Sequence, residues 1–115
     1  MITGAHVVMF SRDAEALRAF LRDVLEFDGV DAGGGWLIFA LPPAELAAHP
    51  SETGGEHRMY LMCDDIDATV AELSAKGVEL TRPVSDEAFG RMTAIAVPGG
   101  DELGLYEPRH PTPPR

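Results

Sequence analysis

The sequence predicts an α+β domain built from two βαβββ modules. Three observations predict it: a β-rich segment precedes an amphipathic helix near the N-terminus, the same order begins again in the second half, and the halves align at a separation of about 52 residues. Each module covers one helix with a small mixed sheet. The predicted domain spans residues 1–108, with modules at 1–52 and 56–108, followed by a flexible tail at 109–115.

The first module begins with a predicted strand at residues 5–10. Asp13 is a suitable N-cap for the helix that follows, and Arg22 is spaced to pair with Glu26 on the outer helical face. Asp28-Gly29 ends this helix. Its apolar stripe consists of Leu17, Phe20, Leu21, Val24 and Leu25.

Glycine and proline divide the rest of the first module. Gly33-Gly34-Gly35 predicts a turn into an apolar strand at 36–41, and Pro42-Pro43 ends that strand. Residues 44–49 are predicted to form its hairpin partner. The polar, glycine-containing stretch at 50–55 is the predicted linker between the modules.

The second module repeats this order. Residues 57–63 form a predicted strand, and Asp64 and Asp65 are the predicted caps of a helix that ends at Lys76-Gly77. Gly99-Gly100-Asp101 forms the last hairpin turn. The three further strands are predicted at 78–84, 92–97 and 102–106.

Side chains alternate between the two faces of each leading strand. The predicted helix-facing residues are Val7, Met9 and Ser11 in the first module and Met59, Leu61 and Cys63 in the second. The opposite faces are free to line a cavity or an interface, and they carry His6, Val8, Phe10, Arg58, Tyr60 and Met62.

Composition excludes several classes of protein. The net charge is −10, with 19 acidic and 9 basic residues, so neither nucleic acid nor an anionic membrane is an expected partner. Cys63 is the single cysteine, which excludes an intrachain disulfide and fits a reducing cytoplasm. The first ten residues lack the pattern of a secretory signal, and no apolar run approaches the roughly 20 residues of a membrane span.

Three stretches resemble the vicinal oxygen chelate superfamily, which contains glyoxalase I, extradiol dioxygenases, fosfomycin-resistance enzymes and bleomycin-resistance proteins. They are His6-Val-Val-Met-Phe with Asp13 and its helix, the segment MYLMCDDIDATVAELSAKGVEL at 59–80, and PGGDELGLYEP at 98–108. The resemblance implies that the sheets of two modules pair as a cup, within one chain or between two, and that a small member forms a homodimer.

The resemblance also implies a metal site of two histidines and one glutamate in the cup, which would hold one divalent ion (Fe, Mn, Ni, Co or Zn) or none. The implied ligands in this sequence are His6, His57 and Glu107. A repeat of about 52 residues places Arg58 at the second position, whereas one of about 51 places His57 there. The third position falls on Gly104, and a β-bulge would be needed to turn Glu107 to the same face.

Two further residues stay open as alternatives. His49, or Glu45 near it, matches a ligand position on the fourth strand of glyoxalase-like members, although a surface or turn role is the simpler interpretation. His110 is assigned to the tail.

The favoured interpretation is a small-molecule-binding protein, similar to bleomycin-resistance proteins, with an incomplete metal site. No catalytic residue is assigned. Arg58 would either hold a ligand carboxylate or pair with Glu102. One alternative is a metal-dependent extradiol dioxygenase or a glyoxalase-like lyase or isomerase, and another is a non-catalytic interaction module. The predicted ligand-binding residues are Phe10, Arg58, Tyr60, Met62, Glu102 and Tyr106.

Overall fold

The computed structural model describes residues 1, 5–111 and 113. Its elements divide between a two-stranded and a four-stranded sheet. In chain order they are α1 (Ala14–Asp23), β1 (Gly29–Asp31), β2 (Leu37–Phe39), β3 (Tyr60–Met62), α2 (Ile66–Ala75), β4 (Leu80–Glu87), β5 (Gly90–Val97) and β6 (Asp101–Pro108).

The second half forms the complete βαβββ module that the sequence predicts. Its strands lie in the order β3-β6-β5-β4, with β3 parallel to β6 and the other neighbours antiparallel. One face of this sheet packs against α2 through a core in which Ile66 and Ile95 are fully buried. The opposite face carries Tyr60, Met62 and Tyr106, since these residues share one side of the paired strands β3 and β6.

The two helices begin in the same way and lie 52 positions apart in the sequence. The side chain of Asp13 accepts a hydrogen bond of 3.1 Å from the amide of Ala16, and Asp65 accepts one of 3.1 Å from Ala68. The predicted caps Asp13 and Asp65 are therefore confirmed, whereas Asp64 precedes the capping residue of α2. The predicted stop at Lys76-Gly77 is confirmed as well, because Gly77 adopts a left-handed φ of 83° after the last turn.

The predicted pair between Arg22 and Glu26 is wrong. Arg22 Nε instead lies 2.7 Å from Asp23 Oδ1. Helix α1 ends at Asp23, and Glu26 has a left-handed φ of 61°, so its side chain has left the helical face that Arg22 occupies. Glu26 Oε2 lies 3.5 Å from the amine of Lys76.

The first half departs most from the prediction. The glycine turn is confirmed, since Asp31 Oδ1 accepts hydrogen bonds from the amides of Gly33 and Gly35. The turn joins β1, which the sequence did not predict, to a β2 of only three residues. Residues 5–10 and 44–49 are not strands, and those two predictions are wrong. A strand requires a neighbouring strand to pair with, and neither segment belongs to either of the two sheets of the described residues.

The two halves nevertheless share one core. Leu17 of α1 is 5% exposed in the cluster that contains Ile66 and Ile95, and Met9 packs against that cluster. Val7, predicted to face the helix with Met9, is 50% exposed, so the predicted alternation of residues 5–10 does not hold. At the helix ends, Lys76 Nζ donates a hydrogen bond of 3.2 Å to the carbonyl oxygen of Val24. Within the described part of the chain, no helix is long and apolar enough to cross a membrane.

Candidate ligand-binding site

Two tyrosine rings on the open face of the second-half sheet each cover a glycine of the neighbouring strand. A Cβ built on Gly104 would lie 2.8 Å from Cε1 of Tyr60, its partner in β3. A Cβ built on Gly90 would lie 2.7 Å from Cε1 of Tyr106. Because glycine has no side chain, both tyrosine rings can lie close to the sheet. Tyr60 and Tyr106 thus form a continuous aromatic surface.

Tyr106 is the centre of a ring cluster, which we define as Tyr60, Phe89, Tyr106 and His110. The centroid of the Tyr106 ring lies 6.2 Å from that of Tyr60, 6.2 Å from that of Phe89 and 5.7 Å from that of His110. The Tyr106 hydroxyl donates a hydrogen bond of 3.0 Å to the carbonyl oxygen of Phe89. These centroid distances fall in the usual range of stabilising aromatic pairs.

A carboxylate from the first half borders the ring cluster. Oε2 of Glu45 lies 3.5 Å from Nε2 of His110, while Oε1 is buried and has no hydrogen-bond partner among the described residues. Burial raises the pKa of Tyr106, and the charge of Glu45 raises it further. The open face thus combines exposed aromatic surface with a carboxylate oxygen that lacks a donor.

The predicted ligand-binding residues do not all lie at this cluster. Tyr60 and Tyr106 belong to it, and Met62 lies beside it as the strand partner of Tyr106. Tyr60 and Met62 are 37% and 38% exposed. Phe10 lies in the irregular segment 5–10 and is 89% exposed. The suggested bridge between Arg58 and Glu102 is wrong: Arg58 Nε lies 2.9 Å from Glu56, which raises the Arg58 pKa, and Glu102 pairs with Arg82. Arg58 and Glu102 each pair with a different residue of opposite charge that lies nearer.

The structure does not bring His6, His57 and Glu107 together. Both histidines are exposed in irregular segments, and Glu107 Oε1 accepts a hydrogen bond of 2.9 Å from the amide of Ile66 at the start of α2. The described residues contain no group of three histidine, cysteine, aspartate or glutamate side chains placed to hold a metal ion. The implied third position, Gly104, is covered by Tyr60. These residues do not fit a three-ligand metal site in this arrangement.

An open depression of about 630 Å³ lies beside the ring cluster, at the carboxyl end of β3. Met62 and His110 connect it to the cluster. Cys63 also lines it, and burial raises the pKa of the Cys63 thiol. The full lining is Met62, Cys63, Asp64, Glu107, Pro108 and His110.

Sequence reasoning missed the part that Glu45 and His110 play at this face. His110 lies in the predicted tail and Glu45 in a segment predicted as a strand, and neither position indicates a contact with the other. Only the fold brings them together, since 65 residues separate them in the sequence (110 less 45). No local pattern in the sequence indicates this contact.

The fold and this face define a small α+β protein with an open aromatic site. The sequence profile of the Glyoxalase/Bleomycin resistance protein/Dioxygenase superfamily matches residues 4–108, and the chain belongs to that family. This confirms the resemblance to vicinal oxygen chelate proteins and the α+β fold class. No curated protein sequence matches the chain.

Several solved structures are similar. The antibiotic-binding protein TnmS3 from Streptomyces sp. CB03234 is 27% identical, with a TM-score of 0.62 over 94% of this chain and 99% of that one. A superfamily member from Sphaerobacter thermophilus is 24% identical, with a TM-score of 0.61 over 91% and 97% of the two chains. Lactoylglutathione lyase from Agrobacterium tumefaciens is 15% identical, with a TM-score of 0.64 over 90% and 92%, and shows the fold alone.

Proposed function

We propose that this protein binds an organic small molecule on the open face of the second-half sheet, without a bound metal as its anchor. The ring cluster is the observation that carries the proposal. Tyr60 on the sheet face is 37% exposed, and Phe89 in the turn between β4 and β5 is 51% exposed. Exposed aromatic side chains that cluster in this way are typical of ligand and interaction sites. Tyr60 also covers the position at which the family pattern would place a metal-binding carboxylate.

The similarity to TnmS3 supports the same proposal. That protein is described as antibiotic-binding, and the alignment extends over almost the whole of both chains. We extend the binding of an antibiotic-like molecule to this chain as part of the proposal. Bleomycin and a neutral apolar compound are therefore suitable first probes.

Titration with bleomycin and with the neutral fluorescent probe N-phenyl-1-naphthylamine tests the proposal. We expect saturable binding of at least one, weakened about fivefold by Tyr106→Leu, since stacking on an aromatic ring contributes about 1 kcal/mol. Phe39→Leu, which changes an aromatic residue of β2 outside the ring cluster, is the matched control and should bind normally. Absence of saturable binding, or equal binding by both variants, would contradict the proposal.

We also propose that the protein is a homodimer. Large apolar side chains are exposed over much of the first half, more than an isolated domain usually leaves to solvent. They include Val7, Val8, Phe10, Val30, Trp36 and Leu46. Sedimentation equilibrium should give twice the monomer mass, and Phe10→Ser should shift the equilibrium toward monomer, whereas Met62→Ser in the second half should not. A wild-type protein of monomer mass would rule out this assembly.

The metal-dependent enzyme of the same family remains the second proposal for function. It requires His6, His57 and Glu107 to approach one another through a change in both irregular segments. Elemental analysis of protein purified without an affinity tag, beside His6→Ala, tests it. Near-stoichiometric Fe, Mn, Ni, Co or Zn that disappears in the variant would favour the enzyme.

The free thiol of Cys63 supports our further proposal of a cytoplasmic location.

A further inference from the structure

The start of the tail is held against the sheet. The backbone amide of Arg109 donates a hydrogen bond of 2.9 Å to the carbonyl oxygen of Phe89, and its Nη1 donates one of 2.9 Å to the carbonyl oxygen of Glu87. These two bonds fix Arg109 on the turn between β4 and β5. The next residue, His110, is thereby directed back over the ring of Tyr106.

His110 meets two groups that would suit a cation. Its ring centroid lies 5.7 Å from that of Tyr106 at an interplanar angle of 32°, and its Nε2 lies 3.5 Å from Oε2 of Glu45. An aromatic ring and a carboxylate together are typical of sites that recognise organic cations. His110 therefore occupies the place that a planar, hydrogen-bond-donating cation would occupy.

One acceptor at this place is unused. Oε1 of Glu45 is buried and has no hydrogen-bond partner among the described residues, although the side chain as a whole is 22% exposed. A buried carboxylate oxygen without a donor is destabilising. A ligand that displaces His110 and presents two parallel N–H groups, as an amidinium or guanidinium does, would donate to Oε2 in place of the imidazole and to Oε1 once that displacement uncovers it.

The charge of the whole chain favours the same ligand class. A net charge of −10 raises the local concentration of cations and speeds their encounter with the protein. The net charge does not determine where on the protein a cation binds. Tyr106 and Glu45 would determine that position. Arg109 precedes His110 in the sequence and would repel a bound cation if it lay close. Its guanidinium instead contacts Glu87 and Asp86.

We propose that the open face takes a planar organic cation with N–H donors, stacked on Tyr106 and hydrogen-bonded to Glu45, and that His110 holds this position until the ligand displaces it. This inference rests on the proposed function, since it assumes that the ligand binds at the ring cluster. It adds the chemical class of the ligand and a competing group from the chain itself.

Calorimetric titration with p-aminobenzamidine and its neutral analogue p-aminobenzamide tests the inference. We expect the cation to bind about tenfold more tightly than the amide, because only the cation pairs with a carboxylate. Glu45→Gln should remove most of that preference and leave amide binding unchanged. Glu72→Gln, an exposed carboxylate on α2, is the matched control and should leave both affinities unchanged.

His110→Ala should change the affinity for p-aminobenzamidine in the direction opposite to Glu45→Gln. If His110 competes with the ligand, its removal should strengthen p-aminobenzamidine binding by about threefold to tenfold. Weaker binding by this variant would overturn the displacement, since it would show His110 to be a contact of the ligand. Thermal unfolding of each variant confirms that it is folded before it is titrated.

The remaining outcomes separate this inference from the proposed function. Equal affinities for the two compounds, unaffected by Glu45→Gln but weakened by Tyr106→Leu, would overturn the cation preference and leave the binding face intact. Binding of neither compound at millimolar concentration would overturn the inference. The titrations with bleomycin and the neutral probe would then decide the proposed function independently.

Discussion

The aromatic ring of Tyr60 lies directly over Gly104, its partner in the neighbouring strand, so that a Cβ on the glycine would be 2.8 Å from Cε1 of the ring. Gly104 is also the residue at which the family pattern would place a carboxylate ligand. Gly104 has no side chain that could bind a metal, and Tyr60, which covers it, forms one end of the ring cluster. A side chain at position 104 and a ring at position 60 exclude each other.

Gly104→Ala tests this exclusion. The methyl group would displace the Tyr60 ring, and we expect the free energy of unfolding to fall by about 1–3 kcal/mol. In the background of Tyr60→Ala the same change should be neutral or slightly stabilising, because alanine restricts the unfolded chain. Urea denaturation of the four proteins measures the coupling energy. Equal effects of Gly104→Ala in both backgrounds would show that the ring is free to move away.

Glu107 has a structural part that can be separated from metal binding. Its Oε1 accepts a hydrogen bond from the amide of Ile66, so Glu107→Ala should destabilise the protein by about 1 kcal/mol. Glu107→Gln keeps an oxygen acceptor and should be less damaging. Chemical denaturation checks both variants. If both lower stability equally while bound metal is lost from each, Glu107 acts as a ligand instead.

The two helix caps offer a comparison within one chain. Asp13→Ala and Asp65→Ala each remove one side-chain acceptor at the same helical position, and each should lower the free energy of unfolding by about 1 kcal/mol. The loss at α2 should be the smaller, since Glu107 still accepts from the amide of Ile66. Denaturation of the two variants side by side measures the difference. A larger loss for Asp65→Ala would mean that Glu107 gives the helix no independent support.

The pair between Asp67 and Arg91 predicts a pH dependence. Nη1 of Arg91 lies 2.9 Å from Oδ2 of Asp67, and this hydrogen bond lowers the pKa of Asp67. A lowered pKa in the folded state stabilises the protein above the ordinary aspartate value of about 4, and the effect disappears as the pH falls through the lowered pKa. Asp67→Asn should therefore have a lower Tm at neutral pH and approach the wild type in acid.

Thermal scans between about pH 7 and pH 2 check this dependence across the range in which aspartate titrates. Glu72→Gln on the same helix, which forms no salt bridge among the described residues, is the control. A gap in Tm between wild type and Asp67→Asn that stays constant into acid would show that the ion pair is not its cause.

The second module was predictable because its signals are local. Asp65 caps its helix through a backbone amide three residues on, and Gly77 ends the helix by its own left-handed φ. The alternation that put Tyr60 and Met62 opposite the helix needs only the two-residue period of a strand. Each of these features depends on a few neighbouring residues, and each is present in the structure.

The first module was less predictable because a strand depends on its neighbours as well as its own side chains. Residues 5–10 have the composition of a strand but no paired edge among the described residues. The meeting of Glu45 with His110 had no local signal at all, since it depends on how two irregular segments cross the sheet. The candidate site thus falls where sequence periodicity carries the least information.

Lys76 is the single lysine of the chain, and its amine is held at the carbonyl oxygen of Val24, where the two helices end. Its ε-amine therefore offers one acylation site whose accessibility changes if the helices separate. Mass-spectrometric footprinting of that one peptide, with the N-terminal amine resolved separately, would report opening between the two halves without an engineered label. Protection that persists at denaturant concentrations that melt the first-half hairpin would identify the helix junction as the last part of the molecule to open.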